Sequence, residues 1–251
     1  MSMRVGDLDY ACARIAARFG ARPDAATWRR IETVRDLAAM LDAARLTVLR
    51  PWTARLSAEA DPHAIERAFR AHWRSLAAEV VAWMPGRWQP VLEWTALASE
   101  LSVLGYLQRG ERTLRWFVDD PVYRRWNAAG EAREAGAPGA LASARDGGEL
   151  LQAWRVEWRR RLPRSHADEA PLLAPFVQLI DRYVSEARVA SPGDGSAAIG
   201  ALRERLERLF RRAMLEPTAA FAYLALAGLD LMHLRAETLR RLLFPRLAPA
   251  P

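Results

Sequence analysis

The chain contains no lysine, and all 37 of its basic side chains are arginine. A Gly-rich phosphate-binding loop ends in a lysine that reaches the phosphates, so nucleotide hydrolysis by that route is excluded. The one cysteine, Cys12, cannot form an internal disulfide, which fits a reducing compartment. It has no histidine beside it to activate it, and no Gly-x-Ser-x-Gly turn occurs. Histidine is equally scarce. His63, His72, His166 and His233 are scattered with no partner set at metal-ligand spacing, so neither a metal nor another cofactor is expected. An enzyme has little to stand on in this inventory.

Long apolar runs are missing too. The longest uncharged, mostly apolar stretch, Pro217 to Leu229, has thirteen residues, short of the roughly twenty that cross a bilayer. Met1 to Asp9 hold no apolar block of the kind a secretory signal needs. A cytoplasmic protein is expected. Sustained alternation of apolar and polar residues is also absent, which leaves no basis for a sheet.

What is present is ample material for a core. Of 251 residues 51% are hydrophobic and ten are Trp, enough for one large domain or two small ones. The net charge of +7 and a pI near 10.5 favour an acidic partner: nucleic acid, anionic lipid or an acidic protein surface. Asp and Glu are nevertheless mixed among the arginines throughout, and an all-Arg set also follows from genome base composition. A generic polar surface is therefore preferred to a nucleic-acid footprint. Most tryptophans fall on helical apolar stripes, so core packing is preferred to base stacking.

Taken in order, the chain reads as helices. Leu8, Tyr10, Ala11, Ile15 and Phe19 have helical spacing, stopped by Gly20 and Pro23. From Asp24, one amphipathic helix is expected to carry Trp28, Ile31, Val34, Leu37, Ala38 and Leu41, before an irregular connection over 46–56. Asp61-Pro62 starts the clearest helix, because Asp caps free amides and Pro is tolerated at the first helical position. Its face is Ile65, Phe69, Trp73, Leu76, Val80 and Trp83, and Pro85-Gly86 ends it. An apolar helix over Val91 to Leu107 follows, then a short segment with Leu114, Trp116 and Phe117.

Residues 128–148 are rich in Ala and Gly and read as a linker, with Pro138 and the Gly147-Gly148 pair. Helices resume over Leu150 to Leu162 and Leu172 to Ala190, and Ser191 to Ser196 is a loop. The next helix turns Leu202, Leu206, Leu209, Phe210 and Ala213 inward, with Arg203, Glu204, Glu207, Arg208, Arg211 and Arg212 facing water. The expected fold is all-α, in antiparallel bundles with short links. Its division would be an N-terminal bundle over 1–127, the linker, and a C-terminal bundle over 149–251. The sharpest basic cluster is Arg155, Arg159, Arg160, Arg161 and Arg164 at one helix end. Complementing the helix dipole is the favoured reading there, ahead of contact with an acidic partner.

Several motifs together resemble the family of rotor-connector proteins that join the stalk of V-type ATPases to the membrane ring, in prokaryotic and eukaryotic complexes alike. Tyr10-Ala-Cys-Ala-Arg14-Ile15-Ala-Ala-Arg18 looks like the family's opening Tyr-x-x-x-Arg-Ile/Val helix. Leu41 to Leu46 stands at its Leu-x-x-Thr-x-Tyr element, with both polar positions lost. Ile65-Glu66 is similar to the Ile-Glu pair that opens the next helix. Tyr223-Leu224 through Leu234-Arg235 keeps the frame of the closing motif, with Gly228 and Asp230 at its two Glu positions and His233 for Asn. The likeness covers about the first half and last fifth of the chain, and 121–200 has no counterpart.

The resemblance implies a non-catalytic, funnel-like member on the cytoplasmic face of the membrane, with the stalk and the rotor ring as partners. Tyr10, Arg14, Arg18, Glu66, Tyr223, Asp230 and Arg235 are its candidate structural or partner-contact residues. Of these, Arg14, Arg18, Asp230 and Arg235 suit a polar socket or mutual pairing. Pairing is favoured, since a charge beside an apolar helix needs a partner. The other reading is an all-α nucleic-acid-binding or regulatory protein with an Arg-rich surface.

Overall fold

Aspartate starts four of the helices. In the computed structural model, which describes residues 5–108, 119–120, 123, 141, 144, 146–164, 166–189 and 195–244, Asp24, Asp36, Asp61 and Asp146 sit in extended backbone. Each accepts hydrogen bonds at 2.7–2.9 Å from amides two or three residues on, satisfying donors that the first helical turn leaves free.

The helices are α1 (Val5–Gly20), α2 (Ala25–Glu32), α3 (Leu37–Arg45), α4 (Arg50–Thr53), α5 (Pro62–Trp83) and α6 (Gln89–Ala96). A 3₁₀ turn, Leu97–Glu100, leads into α7 (Leu101–Gln108). Then come α8 (Gly147–Arg160), α9 (His166–Glu169), α10 (Leu173–Val189), α11 (Gly195–Arg212) and α12 (Thr218–Leu243). Every regular element among the described residues is helical, and the fold is all-α.

Several boundaries differ from the sequence expectation, and local chemistry explains most of them. The single helix expected from Asp24 through Leu41 is two, because Asp36 caps a second start by accepting from the Ala39 amide at 2.9 Å. The Thr33 hydroxyl closes the first by donating to the Arg29 and Arg30 carbonyls, both at 3.1 Å. The apolar helix over 91–107 is broken at the 3₁₀ turn, and the connection over 46–56 contains α4. Gly147-Gly148 opens α8 rather than ending a linker, since Asp146 accepts from Gly148 and Glu149. Gly195 and Ser196 likewise belong to α11. The segment around Leu114, Trp116 and Phe117 and most of the expected linker lie outside the described residues.

Core packing ignores chain order. One apolar cluster joins Ile15 of α1, Val80 of α5, Trp88 and Leu92 to Trp158, Phe176, Leu206, Phe210 and Phe221. A second joins Trp28, Ile31, Met40, Leu41, Ile65 and Phe69 to Leu231 and Leu234. Helix α12 serves both, its first half in one cluster and its second half in the other. It packs on α1, α3, α5, α6, α10 and α11.

Such a helix has to be apolar nearly all round. By length and composition alone its 26 residues are enough to cross a membrane, although its uncharged stretch is only half that long. In the fold, 67% of the apolar window is buried against neighbouring helices.

Candidate functional site

The charges that follow the uncharged run of α12 are held by ion pairs that cross the fold. Asp230 is fully buried and accepts from Arg22 Nε at 2.7 Å and from Arg203 Nη1. Arg22, just beyond α1, also reaches Glu207 of α11 at 3.3 Å. Two arginines thus face two carboxylates, and the group is neutral. Neutrality matters because a buried charge without a partner costs several kcal/mol. Arg203 and Glu207 therefore do not simply face water, as their place on the polar stripe of α11 suggests.

A second chain of charges runs along α5. Glu66, Arg70 and Arg74 are four residues apart and share one helix face. Glu66 is buried; its Oε2 accepts from Arg235 Nε of α12 at 2.5 Å, and its Oε1 from Arg70 Nε at 2.8 Å. Arg70 Nη1 donates to Glu100 at 2.5 Å and to the Tyr123 hydroxyl at 2.8 Å. Arg74 Nε donates to Glu100 at 3.0 Å, and its Nη1 to Asp120 at 2.8 and 2.9 Å. The result is an alternating series, Arg235–Glu66–Arg70–Glu100–Arg74–Asp120, tying α12 and α5 to the 3₁₀ turn and the segment beyond it. Glu100 and Asp120 are buried as well.

Candidates near the N-terminus sit at the surface of α1. Tyr10 is 55% exposed. The Arg14 guanidinium lies over the Trp83 ring at 4.9 Å and nearer the edge of reach of Tyr10 at 5.9 Å, a cation–π arrangement. Arg18 pairs with Glu79 of α5 at 2.5 and 2.8 Å. Tyr223 is buried in α12, and burial pushes its hydroxyl up to about 12.

Arg14, Arg18, Asp230 and Arg235, the four expected to form a socket or pair mutually, are thus engaged, but not with one another. Glu66 and Arg235 meet; Arg14, Arg18 and Asp230 find other groups. Gly228 faces Trp73, whose ring carbons lie 3.4 and 3.5 Å from where a Cβ would stand. A carboxylate here would enter an apolar recess of about 350 Å³ lined by Trp73, Trp154, Trp158, Phe176 and Phe221.

Sequence reasoning missed Arg22, Arg203, Arg70, Arg74, Glu100, Asp120 and Arg241. The 66–70–74 spacing was a usable signal. Nothing local marks Arg22, whose partner is 208 residues away. Arg241 is buried near the end of α12, where it donates to the Ile31, Glu32 and Val34 carbonyls at 2.7–3.1 Å and so caps the end of α2. It also pairs with Glu237 at 2.6 Å. Burial alone would raise the Glu237 pKa, but hydrogen bonds and charge from Arg240 and Arg241 outweigh it and hold the carboxyl below its usual 4.5.

The cluster singled out at the end of α8 is partly spent inside the protein. Arg155 pairs with Asp181, Arg160 and Arg161 with Glu157, and Arg161 lies 4.4 Å from the centre of the Trp94 ring. The nearby tryptophans are hydrogen-bonded within the fold: Trp94 and Trp154 each donate to the other's carbonyl at 2.9 Å, and Trp158 to Thr95 at 2.7 Å.

Cys12 is buried; desolvation and the charge of Asp9 push its thiol up to about 11, so it stays protonated near neutral pH. His72 is shifted down by burial and by Arg55. Among the described residues no three His, Cys, Asp or Glu side chains are grouped to hold a metal. What this arrangement does chemically is fix helices against one another. Comparison with models of known families, with curated proteins and with solved structures finds no match to the chain.

Proposed function

We propose that the chain is a non-catalytic central-stalk connector of a V-type ATPase or ATP synthase, joining the rotor ring to the stalk and transmitting torque during ion transport. The observation that supports this most is the Glu66–Arg235 ion pair. Two of the motifs that resemble the family, Ile65-Glu66 and Leu234-Arg235, are separated by 169 positions and yet share one contact. The likeness therefore falls on residues that form a physical unit. Transmitting torque demands stiffness, and close-packed helices cross-tied by buried ion pairs resist deformation.

On this reading the protein works at the cytoplasmic face of the membrane, held there through its complex, with stalk and ring proteins as partners. Purification of a tagged copy from its host tests it: stalk and ring proteins are expected to co-purify, and their absence would overturn the proposal. The second reading from the sequence, a nucleic-acid-binding or regulatory module, predicts salt-sensitive affinity for RNA or DNA instead.

A further inference from the structure

Arg182 of α10 and Arg205, Arg208 and Arg212 of α11 line one cleft of about 390 Å³ between those two helices, together with Gln178, Leu179 and Leu209. The three arginines of α11 are spaced by three and four residues and so share a face, and Gln178 and Arg182 do the same on α10. No carboxylate is among the described residues that line the cleft. Nor, among the described residues, do Arg182, Arg205 and Arg212 take part in an ion pair. Arg208 meets Glu204 at 3.7 Å, a loose contact with side chains 57% and 74% exposed.

The arginines of the two ion-pair groups are placed differently. Arg22, Arg70, Arg74, Arg203 and Arg235 each rest on a carboxylate. Like charges one helical turn apart repel, and only the loose Arg208–Glu204 contact offsets this, so an anion seated among the four arginines is favoured. Their chemistry says which anion. A guanidinium presents a planar fork of donors that matches two phosphate oxygens at once. Four such forks from two helices suit a ligand with more than one phosphate, and the cleft volume is that of a small-ligand site rather than of a docked helix.

We infer that the α10–α11 cleft binds a ligand carrying clustered phosphate groups, supplied either by a soluble oligophosphate or by phospholipid headgroups. This inference is independent of the connector reading, since it rests only on the cleft.

Titration calorimetry of the full chain with inorganic tripolyphosphate, at about 50 mM salt to limit screening, is the test. Binding is expected, and R208Q/R212Q is expected to weaken it by about tenfold or more, through loss of two charge-assisted donor forks. R29Q/R30Q removes the same charge from the exposed face of α2 and is expected to change affinity by less than about twofold. Thermal unfolding of each variant checks that the fold is kept. Retention on phosphatidic acid vesicles but not phosphatidylcholine vesicles, with release by tripolyphosphate, would assign the headgroup. Tripolyphosphate binding without vesicle retention would assign a soluble ligand. No binding to either probe, or equal weakening by both double variants, would overturn the inference.

Discussion

Glu66 of α5 and Arg235 of α12 stand 2.5 Å apart, Oε2 to Nε, and the two ends of this bond are unequal. The Glu66 side chain is 9% exposed and that of Arg235 is 44% exposed. Glu66 also holds Arg70, whereas Arg235 keeps ready access to water. Glu66→Ala is expected to destabilise the protein by about 2–4 kcal/mol, because it strips a carboxylate from Arg70 and opens the series along α5. Arg235→Ala is expected to cost about 1 kcal/mol or less. Urea unfolding of the two variants measures the difference, and equal losses would contradict this account.

The Asp230 group should behave as one unit. Asp230→Ala leaves Arg22, with an 8% exposed side chain, only its 3.3 Å contact to Glu207, and takes from Arg203 its carboxylate. The expected loss is about 3–5 kcal/mol. Because much of that is the penalty on arginines left short of a carboxylate, Arg22→Ala added to Asp230→Ala should cost much less than the two singles summed. A double-mutant cycle with a coupling below about 0.5 kcal/mol would argue against a shared site.

Gly228 offers a gain. Its Cβ position meets the Trp73 ring at ordinary contact distance, 3.4 and 3.5 Å, and lies in the interior of a 26-residue helix. Gly228→Ala is expected to stabilise the protein by about 0.5–1 kcal/mol by removing backbone freedom from the unfolded chain. A lowered urea midpoint would instead mean that Trp73 has no room to give.

Glu237 predicts a pH dependence. Its folded pKa lies below 4.5, so the folded state binds its proton less readily than the unfolded state does. Its contribution to stability is complete above the unfolded pKa and is lost as pH falls through the folded one. The stability gap between the natural protein and Glu237→Gln is therefore expected to be present at about pH 7 and to close under acid. Urea midpoints across that range provide the check, and a gap that persists into strong acid would refute the assignment.

Most of the secondary structure was legible in the sequence, because a helix is a local object. Capping and apolar periodicity act within one turn or two, and Asp24, Asp61-Pro62 and Pro85-Gly86 sit where the chain starts or stops a helix. The absence of alternation was enough for an all-α fold. Pairing of charges was legible in kind only. That Asp230 and Arg235 need partners follows from their place beside an apolar stretch, yet sequence spacing held nothing to identify Arg22 or Glu66.

The sequence by itself determined the all-helical character, the apolar stripes and the uncharged run from Pro217 to Leu229 that precedes Asp230. Only the tertiary structure decided which charges meet. Arg241 closes α2 from the far end of the chain, at separations of 207 to 210 residues. Arg203 and Glu207 meet Asp230 and Arg22 from a stripe expected to face water, while Arg205, Arg208 and Arg212 gather on a cleft. The physical reason is range: backbone hydrogen bonds and side-chain periodicity are set by neighbours a few positions away, whereas an ion pair depends on which helix faces pack together, and that is settled by burial summed over the whole chain.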